Sequence, residues 1–325
     1  MSEPHPPTND SPRPQPEQPE PPLARRWPLE YSTPVLRTDM RSVVRVVVTV
    51  AIIAFIILFG ISILIPSMGA PRERANRVKC AANLRQIGQG LLLYLTDFGM
   101  YPRTCYDPAR PPTAFTPPAL PGGAAPNETD PYFGPNRPAD NDVSAALFLL
   151  IRHIDVFPDV FICPATLHEK DTLNNVGAQN RVNFNSPLNL SYSYANPYPS
   201  EEALALGYKL DPAPLSTFAI AADRNDGDLD GNLSATSSSP SAVQRAMNSR
   251  NHGGEGQNVL YSDGHVEWRE TCWAGDWADC IWGDAVVSAS TTQPSQLAPA
   301  RTGNGVDPKL PLDSILLPKK GMGLP

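Results

Sequence analysis

Histidines and carboxylates gather in one stretch of the C-terminal third, "NHGGEGQNVLYSDGHVEW". His252, Asp263, His265 and Glu267 are of the residue types that bind zinc or act as a general base in metal hydrolases. The same stretch also has the pattern of a β-hairpin, because an Asp-Gly pair between apolar strands is a strong turn signal. A turn aspartate commonly hydrogen-bonds its own backbone. We therefore predict a hairpin whose turn is Asp263-Gly264, with His252 packed or hydrogen-bonded against the neighbouring sheet. An anchored metal hydrolase is the alternative.

A second group of carboxylates lies in "DRNDGDLDGN". Asp226, Asp228 and Asp230 stand at alternate positions before a glycine, as at the start of a calcium-binding loop, where close carboxylates supply the oxygen ligands. The twelfth position of such a loop is Ser237, so the bidentate glutamate of an EF-hand is missing. The pattern favours a solvated acidic turn, with calcium as the alternative. No other cofactor is expected.

An apolar segment precedes both groups. Val46 to Ile65 contains no charged residue and, as a helix at about 1.5 Å per residue, matches a hydrocarbon core of roughly 30 Å. A cleaved signal peptide usually has a shorter apolar region of about 7–15 residues, nearer to the N-terminus. We therefore predict one retained transmembrane helix.

The five cysteines, Cys80, Cys105, Cys163, Cys272 and Cys280, all follow this segment. This distribution favours an oxidising compartment for the C-terminal part, with the N-terminus in the cytoplasm. Disulfides are possible between Cys272 and Cys280 and between Cys105 and Cys163, although sequence alone proves neither pairing. Cys80 is then the expected unpaired thiol. The arginines on the two sides of the segment are nearly balanced and give no orientation.

The elements that would position these residues follow from periodicity. "PRERANRVKCAANLRQIGQGLLLYLTDFG" predicts an amphipathic helix that continues the membrane helix beyond a kink at Pro66 and ends near Gly99. Its apolar face is predicted to comprise Ala75, Val78, Ala82, Leu84, Ile87, Leu91 and Leu95. "VSAALFLLIRHI" predicts a short helix capped by Asp142. "DVFICP", "LSTFAIAAD" and the two arms of the hairpin predict strands.

Composition limits the foldable part of the chain. It has 325 residues, of which 38 are proline, concentrated before Met40 and between Pro102 and Pro138. Such stretches hold neither long helices nor central strands. We divide the chain into a disordered tail (1–41), a transmembrane and stem helix (42–102), an α+β head (103–287) and a disordered C-terminal tail (288–325). The net charge of −7 gives no reason to expect nucleic acid as a partner.

Three stretches resemble the type IV pilin-like family of the pseudopilin sort, and within it a planctomycete-type group with a C-terminal H-x9-DG motif. The first, residues 47–102, contains a C-x-x-N-L-[KR]-Q-[IL]-G segment and a Tyr-Pro exit. In this chain that segment comprises Cys80, Asn83, Leu84, Arg85, Gln86, Ile87 and Gly88. The second is "DVFICPAT", and the third runs from His252 through "GDWADCIW".

The resemblance implies a long N-terminal helix packed on an antiparallel β-sheet. It also implies a non-enzymatic structural component of a type II secretion or type IV pilus-like system, with the membrane and other pilin-like subunits or secretion-system proteins as partners. A membrane-anchored module that binds a glycan or protein is the alternative. Two features depart from the family. Ten residues separate His252 from Asp263, and residues 40–50 contain neither glycine nor glutamate, so the prepilin cleavage site is absent.

Overall fold

The chain divides into two units, Met1–Ser62 and Ile63–Pro325, and we call the second the head. The predicted N-terminal tail lies outside the described residues as far as residue 38. The structure, a computed structural model, describes residues 39–67, 69–110, 112, 115, 137–173, 177–199, 201–205, 208, 216–225, 234–236, 238–275, 280–282, 300–301 and 316–317.

The first unit contains helix α1, Met40–Ser67, which continues into the first residues of the head. Its segment Met40–Ser62 is long and apolar enough to cross a membrane, and none of its apolar window is buried among the described residues. The prediction of one membrane-spanning helix therefore agrees with the length and composition of α1. Residue 68, between α1 and helix α2, lies outside the described residues, so the kink at Pro66 stays a prediction from the sequence.

Helix α2, Gly69–Phe98, has one face buried in the head. Apolar residues recur at spacings of three and four, so they align on one side of the helix. Leu84, Ile87 and Leu91 were predicted on this face and are buried, whereas Val78 is 69% exposed and Ala75 is also exposed. The prediction was therefore wrong for the first turns of α2, because the buried face begins only at Cys80. The buried apolar residues of α2 are Cys80, Leu84, Ile87, Leu91 and Tyr94.

Helix α3, Val143–Ile154, begins where the sequence predicted. The carboxylate of Asp142 caps it by accepting a hydrogen bond of 3.0 Å from the backbone N–H of Ala145. The helix ends at Asp155, which adopts the left-handed conformation. Residues 143–152 are buried all round the helix, so α3 is a core element, and it packs against α2.

The main sheet is antiparallel and has five strands in the order β5-β4-β2-β1-β7. It contains β1 (Tyr192–Ala195), β2 (Ala219–Asp223), β4 (Gln257–Tyr261), β5 (Val266–Arg269) and β7 (Leu316–Leu317). All residues of β1, β2 and β4 are buried. Because successive side chains of a strand point to opposite faces, both faces of the central sheet are covered. The described head is therefore an α+β fold with an antiparallel sheet.

The shorter elements connect this framework. They are the helices α4 (Glu201–Ala205) and α5 (Ser241–Ala246), and the two-stranded pair β3 (Ser234–Ala235) and β6 (Ala300–Arg301). "DVFICP" is not the predicted strand: Pro158–Phe161 forms a 3-10 helix. Proline cannot donate to a strand ladder, and here it begins the helical turn instead.

The C-terminal segment also differs from the prediction. Residues 288–325 were expected to form a tail without structure, yet Leu316 and Leu317 are fully buried. They pair with Tyr194 and Ala195 as the edge strand of the main sheet, and Leu316 N–H donates to Ile281 O at 2.9 Å. Two consecutive leucines are too short a pattern to reveal a strand.

Candidate functional site

The predicted hairpin is confirmed, and its loop contains three residues, 262–264. The backbone N–H of Tyr261 donates to His265 O (3.0 Å), and that of Gly264 donates to Tyr261 O (2.9 Å). Gly264 has a φ of +88°, in the left-handed region that glycine adopts without a steric penalty. The Asp-Gly pair is therefore required by the turn.

Asp263 is committed to this turn. Its Oδ1 atom accepts a hydrogen bond of 3.0 Å from the backbone N–H of His265 and lies 2.5 Å from His265 Nδ1. The backbone hydrogen bond from His265 is the main reason why the pKa of the Asp263 carboxyl lies below its ordinary value of 3.8. The Asp263 and His265 side chains are 43% and 50% exposed. Glu267 is also exposed and pairs with Arg269 at 3.0 Å.

His252 lies in a different environment, inside the head with only 2% of the residue exposed. Its Nδ1 atom is 2.7 Å from Glu73 Oε1 of α2, and its Nε2 atom is 3.3 Å from Asp223 Oδ2 of β2. The predicted packing of His252 against the neighbouring sheet is thus present. The structure divides the four residues of the zinc hypothesis into a buried histidine and an exposed set on the hairpin.

The two carboxylates determine the charge state of His252. Burial is the largest single effect and lowers the pKa of the imidazole. The hydrogen bonds and charges of Asp223 and Glu73 act in the opposite direction, and together they raise its pKa above the ordinary value of 6.5. The imidazole therefore lies between two acceptors that favour its protonated form.

Asp223 ends strand β2 and is fully buried. Its Oδ2 atom accepts hydrogen bonds from the backbone N–H (2.7 Å) and the side-chain amide (3.0 Å) of Asn258 in β4. Its Oδ1 atom has no hydrogen-bond partner among the described residues. A buried carboxylate oxygen without a partner is costly, which makes Asp223 a functional candidate that the sequence did not reveal.

Cys80 of α2 and Cys163 form a disulfide between fully buried residues, with Cα atoms 5.3 Å apart. The predicted pairing of Cys105 with Cys163 is therefore wrong, and Cys105, not Cys80, is the free cysteine. Burial of α2 from Cys80 onward brings its thiol to Cys163, whereas the loop that contains Cys105 packs against Tyr198 and Asn141. The other predicted disulfide, between Cys272 and Cys280, is present.

The disulfide, the histidine and the aspartate form one group. The ligand atoms of Cys80, Cys163, Asp223 and His252 all lie within 4.8 Å of one another, and all four residues are buried. Cys163 Sγ is 3.7 Å from His252 Nε2. The group combines two bonded sulfur atoms with side chains of the types that bind protons or metal ions. No sequence motif indicated it, because its members come from four separate segments of the chain.

The first turns of α2 contact the segment around His252. The Arg77 guanidinium pairs with Glu73 (3.4 Å) and Glu255, and it lies 4.2 Å above the ring of Trp268. The His252 ring is 5.5 Å from the same Trp268, in an edge-to-face arrangement. The segment from His252 to Trp268 thus forms a surface on which the N-terminal half of α2 packs.

The C-x-x-N-L-R-Q-I-G segment of α2 has a physical explanation. Asn83 donates from Nδ2 to Ile162 O (2.8 Å) and Tyr192 OH (3.2 Å), so α2 is hydrogen-bonded both to the residue before Cys163 and to β1. A Cβ atom on Gly88 would lie 2.9 Å from Leu260 Cδ1 of β4, so glycine permits close approach of helix and sheet. This segment is therefore the part of α2 that packs against the sheet.

The calcium hypothesis concerns Asp226, Asp228 and Asp230, which lie outside the described residues. Calcium binding by these residues remains a prediction from the sequence.

No protein-family model, curated protein or solved structure matches the chain.

Proposed function

We propose that the protein is a membrane-anchored, pseudopilin-like structural subunit without catalytic activity. In this proposal α1 anchors the chain in the cytoplasmic membrane, and the head lies outside the membrane in an oxidising compartment. The proline-rich tail is cytoplasmic. Other pilin-like subunits or components of a type II secretion or type IV pilus-like system are the partners.

The observation that carries the proposal is the exposed apolar surface of α1. None of the apolar window of Met40–Ser62 is buried among the described residues, and Val46, Phe55, Ile56 and Leu58 are each more than 60% exposed. So much apolar area is stable only in lipid or against other apolar helices. A subunit that assembles through its membrane helices buries this area partly in lipid and partly against other helices.

The order of the elements supports the same function. An apolar helix is followed by a second helix, α2, whose buried face packs on an antiparallel sheet. The Cys80–Cys163 disulfide and the Asn83 hydrogen bonds fix α2 to the rest of the head. A force applied to the membrane helix would therefore be transmitted to the sheet through covalent and hydrogen-bonded links.

The proposal is tested by cysteine cross-linking of the full chain in membranes. Cys105 is replaced by serine, because it is the free cysteine of the described chain. Single cysteines are then introduced at each position from 52 to 61 and oxidised with a mild catalyst. We expect disulfide-linked dimers at positions that repeat every three to four residues, since packed helices meet along one face.

The Cys105→Ser chain without an added cysteine is the matched control and must remain monomeric on a non-reducing gel. Cross-linking to the same extent at every position indicates random collision and contradicts assembly through a defined face. A strictly monomeric result at all positions rejects the structural-subunit proposal.

One observation favours a second candidate, a membrane-anchored module that binds a glycan or protein. A polar surface cleft is lined by Arg77, Arg245, Glu255, Trp268 and Glu270 among others. A half-buried tryptophan beside charged groups is a common feature of binding surfaces. This candidate requires monomers in the cross-linking experiment and a ligand whose affinity falls in a Trp268→Ala variant.

A further inference from the structure

The group formed by Cys80, Cys163, Asp223 and His252 has the composition of a zinc site. Two cysteines, a histidine and an aspartate supply soft thiolate, imidazole and carboxylate ligands, a combination that suits Zn²⁺ better than Mg²⁺ or Ca²⁺. We propose that these four residues bind one Zn²⁺ ion when the Cys80–Cys163 disulfide is reduced. The inference does not depend on the proposed structural function.

The distances between ligand atoms fit this assignment. In a tetrahedral site with Zn–N and Zn–O bonds of about 2.0–2.1 Å and Zn–S bonds of about 2.3 Å, an N–O edge is roughly 3.3 Å and an S–N edge roughly 3.6 Å. The observed values are 3.3 Å from His252 Nε2 to Asp223 Oδ2 and 3.7 Å from His252 Nε2 to Cys163 Sγ. His252 Nε2 therefore already lies at ligand separation from both Asp223 Oδ2 and Cys163 Sγ.

The surrounding residues orient the ligands as in known metal sites. Glu73 Oε1 is 2.7 Å from His252 Nδ1, which leaves Nε2 directed at the sulfur and carboxylate atoms. A carboxylate on the outer nitrogen of a ligating histidine is the usual partner of such a ligand. Asn258 fixes Asp223 through two hydrogen bonds, while Asp223 Oδ1 keeps unused acceptor capacity.

The charges are also compatible with a bound ion. Two thiolates and the Asp223 carboxylate carry three negative charges against the two positive charges of Zn²⁺, and His252 binds as the neutral imidazole. Glu73 adds one negative charge and lies 3.4 Å from the Arg77 guanidinium, which it shares with Glu255. The Glu73 side chain is 32% exposed, so the group is one side chain away from solvent.

Disulfide and zinc are alternative states of the same two sulfurs. A dithiol or phosphine reductant gives two electrons to the S–S bond, and each sulfur takes one proton while the reductant is oxidised. Zn²⁺ then displaces the two thiol protons, and the Nε2 proton of His252, to solvent and binds the two sulfurs and the neutral imidazole. Oxidation of the thiolates by a disulfide oxidant removes both electrons, restores the S–S bond and releases the ion.

The test uses the full chain in detergent micelles, reduced with a phosphine under anaerobic conditions. Co²⁺ is added first because thiolate–Co²⁺ bonds give a charge-transfer absorption, and Zn²⁺ is then added in competition with a chromophoric chelator. We expect one Co²⁺ per chain with thiolate absorption, displaced by one Zn²⁺, and no stoichiometric binding by the oxidised chain. A Cys272→Ser, Cys280→Ser double variant is the matched control and should bind as the parent does.

Variants of the ligands and of their support separate a built site from adventitious thiol binding. His252→Gln should weaken Zn²⁺ binding by at least about 100-fold, whereas Glu73→Gln, which keeps all four ligands, should weaken it about 10–100-fold. Circular dichroism of each reduced chain checks its fold. If His252→Gln does not fold, the Glu73→Gln result decides.

Four results would overturn the proposal. The first is a Co²⁺ complex without thiolate absorption, and the second is equal binding by the oxidised and reduced chains. The third is unchanged affinity in both the His252 and the Glu73 variants. Loss of stoichiometric binding in the Cys272 and Cys280 double variant would place the ion at the other cysteine pair and would also exclude the proposed site.

Discussion

The Sγ atom of Cys163 lies 3.7 Å from Nε2 of His252, although 89 residues separate them in the chain. This contact joins the segment from His252 to Trp268 to the disulfide that fixes α2, because Cys163 is bonded to Cys80. His252 also contacts Glu73 on the same helix. The histidine therefore connects helix α2 to the sheet, and this connection is its structural role.

Alkylation of the unfolded, non-reduced chain should label Cys105 alone. The other four cysteines form the two disulfides, so they have no thiol to react. Peptide mass spectrometry reads the labelled position and the cross-linked peptides directly. Labelling of Cys80, or a peptide that links Cys105 to Cys163, would contradict the pairing described here.

The two disulfides should differ in their contribution to stability. Cys80–Cys163 closes 83 residues and Cys272–Cys280 closes 8. The loop-entropy relation gives about 4.5 kcal/mol for the longer loop and about 2.5 kcal/mol for the shorter. Replacement of each pair by alanines, followed by chemical denaturation of the full chain in detergent, should show the larger loss for the Cys80–Cys163 pair. A larger loss for the Cys272–Cys280 pair would mean that strain or residual structure outweighs loop entropy.

Gly256 should tolerate no side chain. A Cβ atom there would overlap the carbonyl oxygen of Arg269 and lie 2.7 Å from Trp268 Cζ2, and neither the backbone nor the half-buried ring moves easily. We expect Gly256→Ala to cost about 2–3 kcal/mol of unfolding free energy. Gly253 in the same loop has a φ of +68° but open space around its Cα, so Gly253→Ala should cost only about 1–2 kcal/mol. Equal losses in thermal denaturation would argue against the steric explanation.

Much of the framework could be predicted from local pattern. The cap at Asp142, strand β2 and the Asp-Gly hairpin each have a signal within a few adjacent residues. The apolar run of α1 is equally local. Such signals arise from periodicity and turn chemistry, which do not depend on distant parts of the chain.

The candidate site could not be predicted in the same way. The sequence does not show whether Cys163 pairs with Cys80 or with Cys105. Only the packing of α2 decides between them. Asp223 gave no sign in the sequence, because it is one aspartate at the end of an apolar strand. Strand β7 was not predicted, because two residues are too few to show a periodic pattern. In each case long-range packing supplied the missing information.

Asp263 should titrate below its ordinary value of 3.8, because the backbone N–H of His265 stabilises the carboxylate. A lowered pKa in the folded chain contributes stability above the pKa of the unfolded chain. This contribution is lost as the pH falls from about 4 through the folded value. The side chain is 43% exposed, so solvent screening limits the contribution to well under 1 kcal/mol.

A ¹³C-carboxyl titration by nuclear magnetic resonance measures the Asp263 pKa, and the resonance is assigned by its loss in Asp263→Asn. The Asn variant keeps an acceptor for the His265 N–H, so we expect the hairpin to persist. Replacement of exposed Asp97 by Asn is the matched control for removal of one carboxylate. Titration of Asp263 at or above 3.8 would rule out the turn hydrogen bond as the dominant effect.

The ion pair between Arg181 and Asp171 should matter far more than its surface counterparts. The Arg181 and Asp171 side chains are 0% and 1% exposed and are joined by two hydrogen bonds of 2.7 and 3.0 Å. Removal of one partner leaves a buried charge without compensation, so Arg181→Met should cost about 3–5 kcal/mol of unfolding free energy. The matched control is Lys170→Met, which breaks the exposed pair with Asp159 and should cost about 0–1 kcal/mol. Chemical denaturation of both variants measures the difference, and a loss below 1 kcal/mol in Arg181→Met would show that water reaches Asp171 in the folded chain.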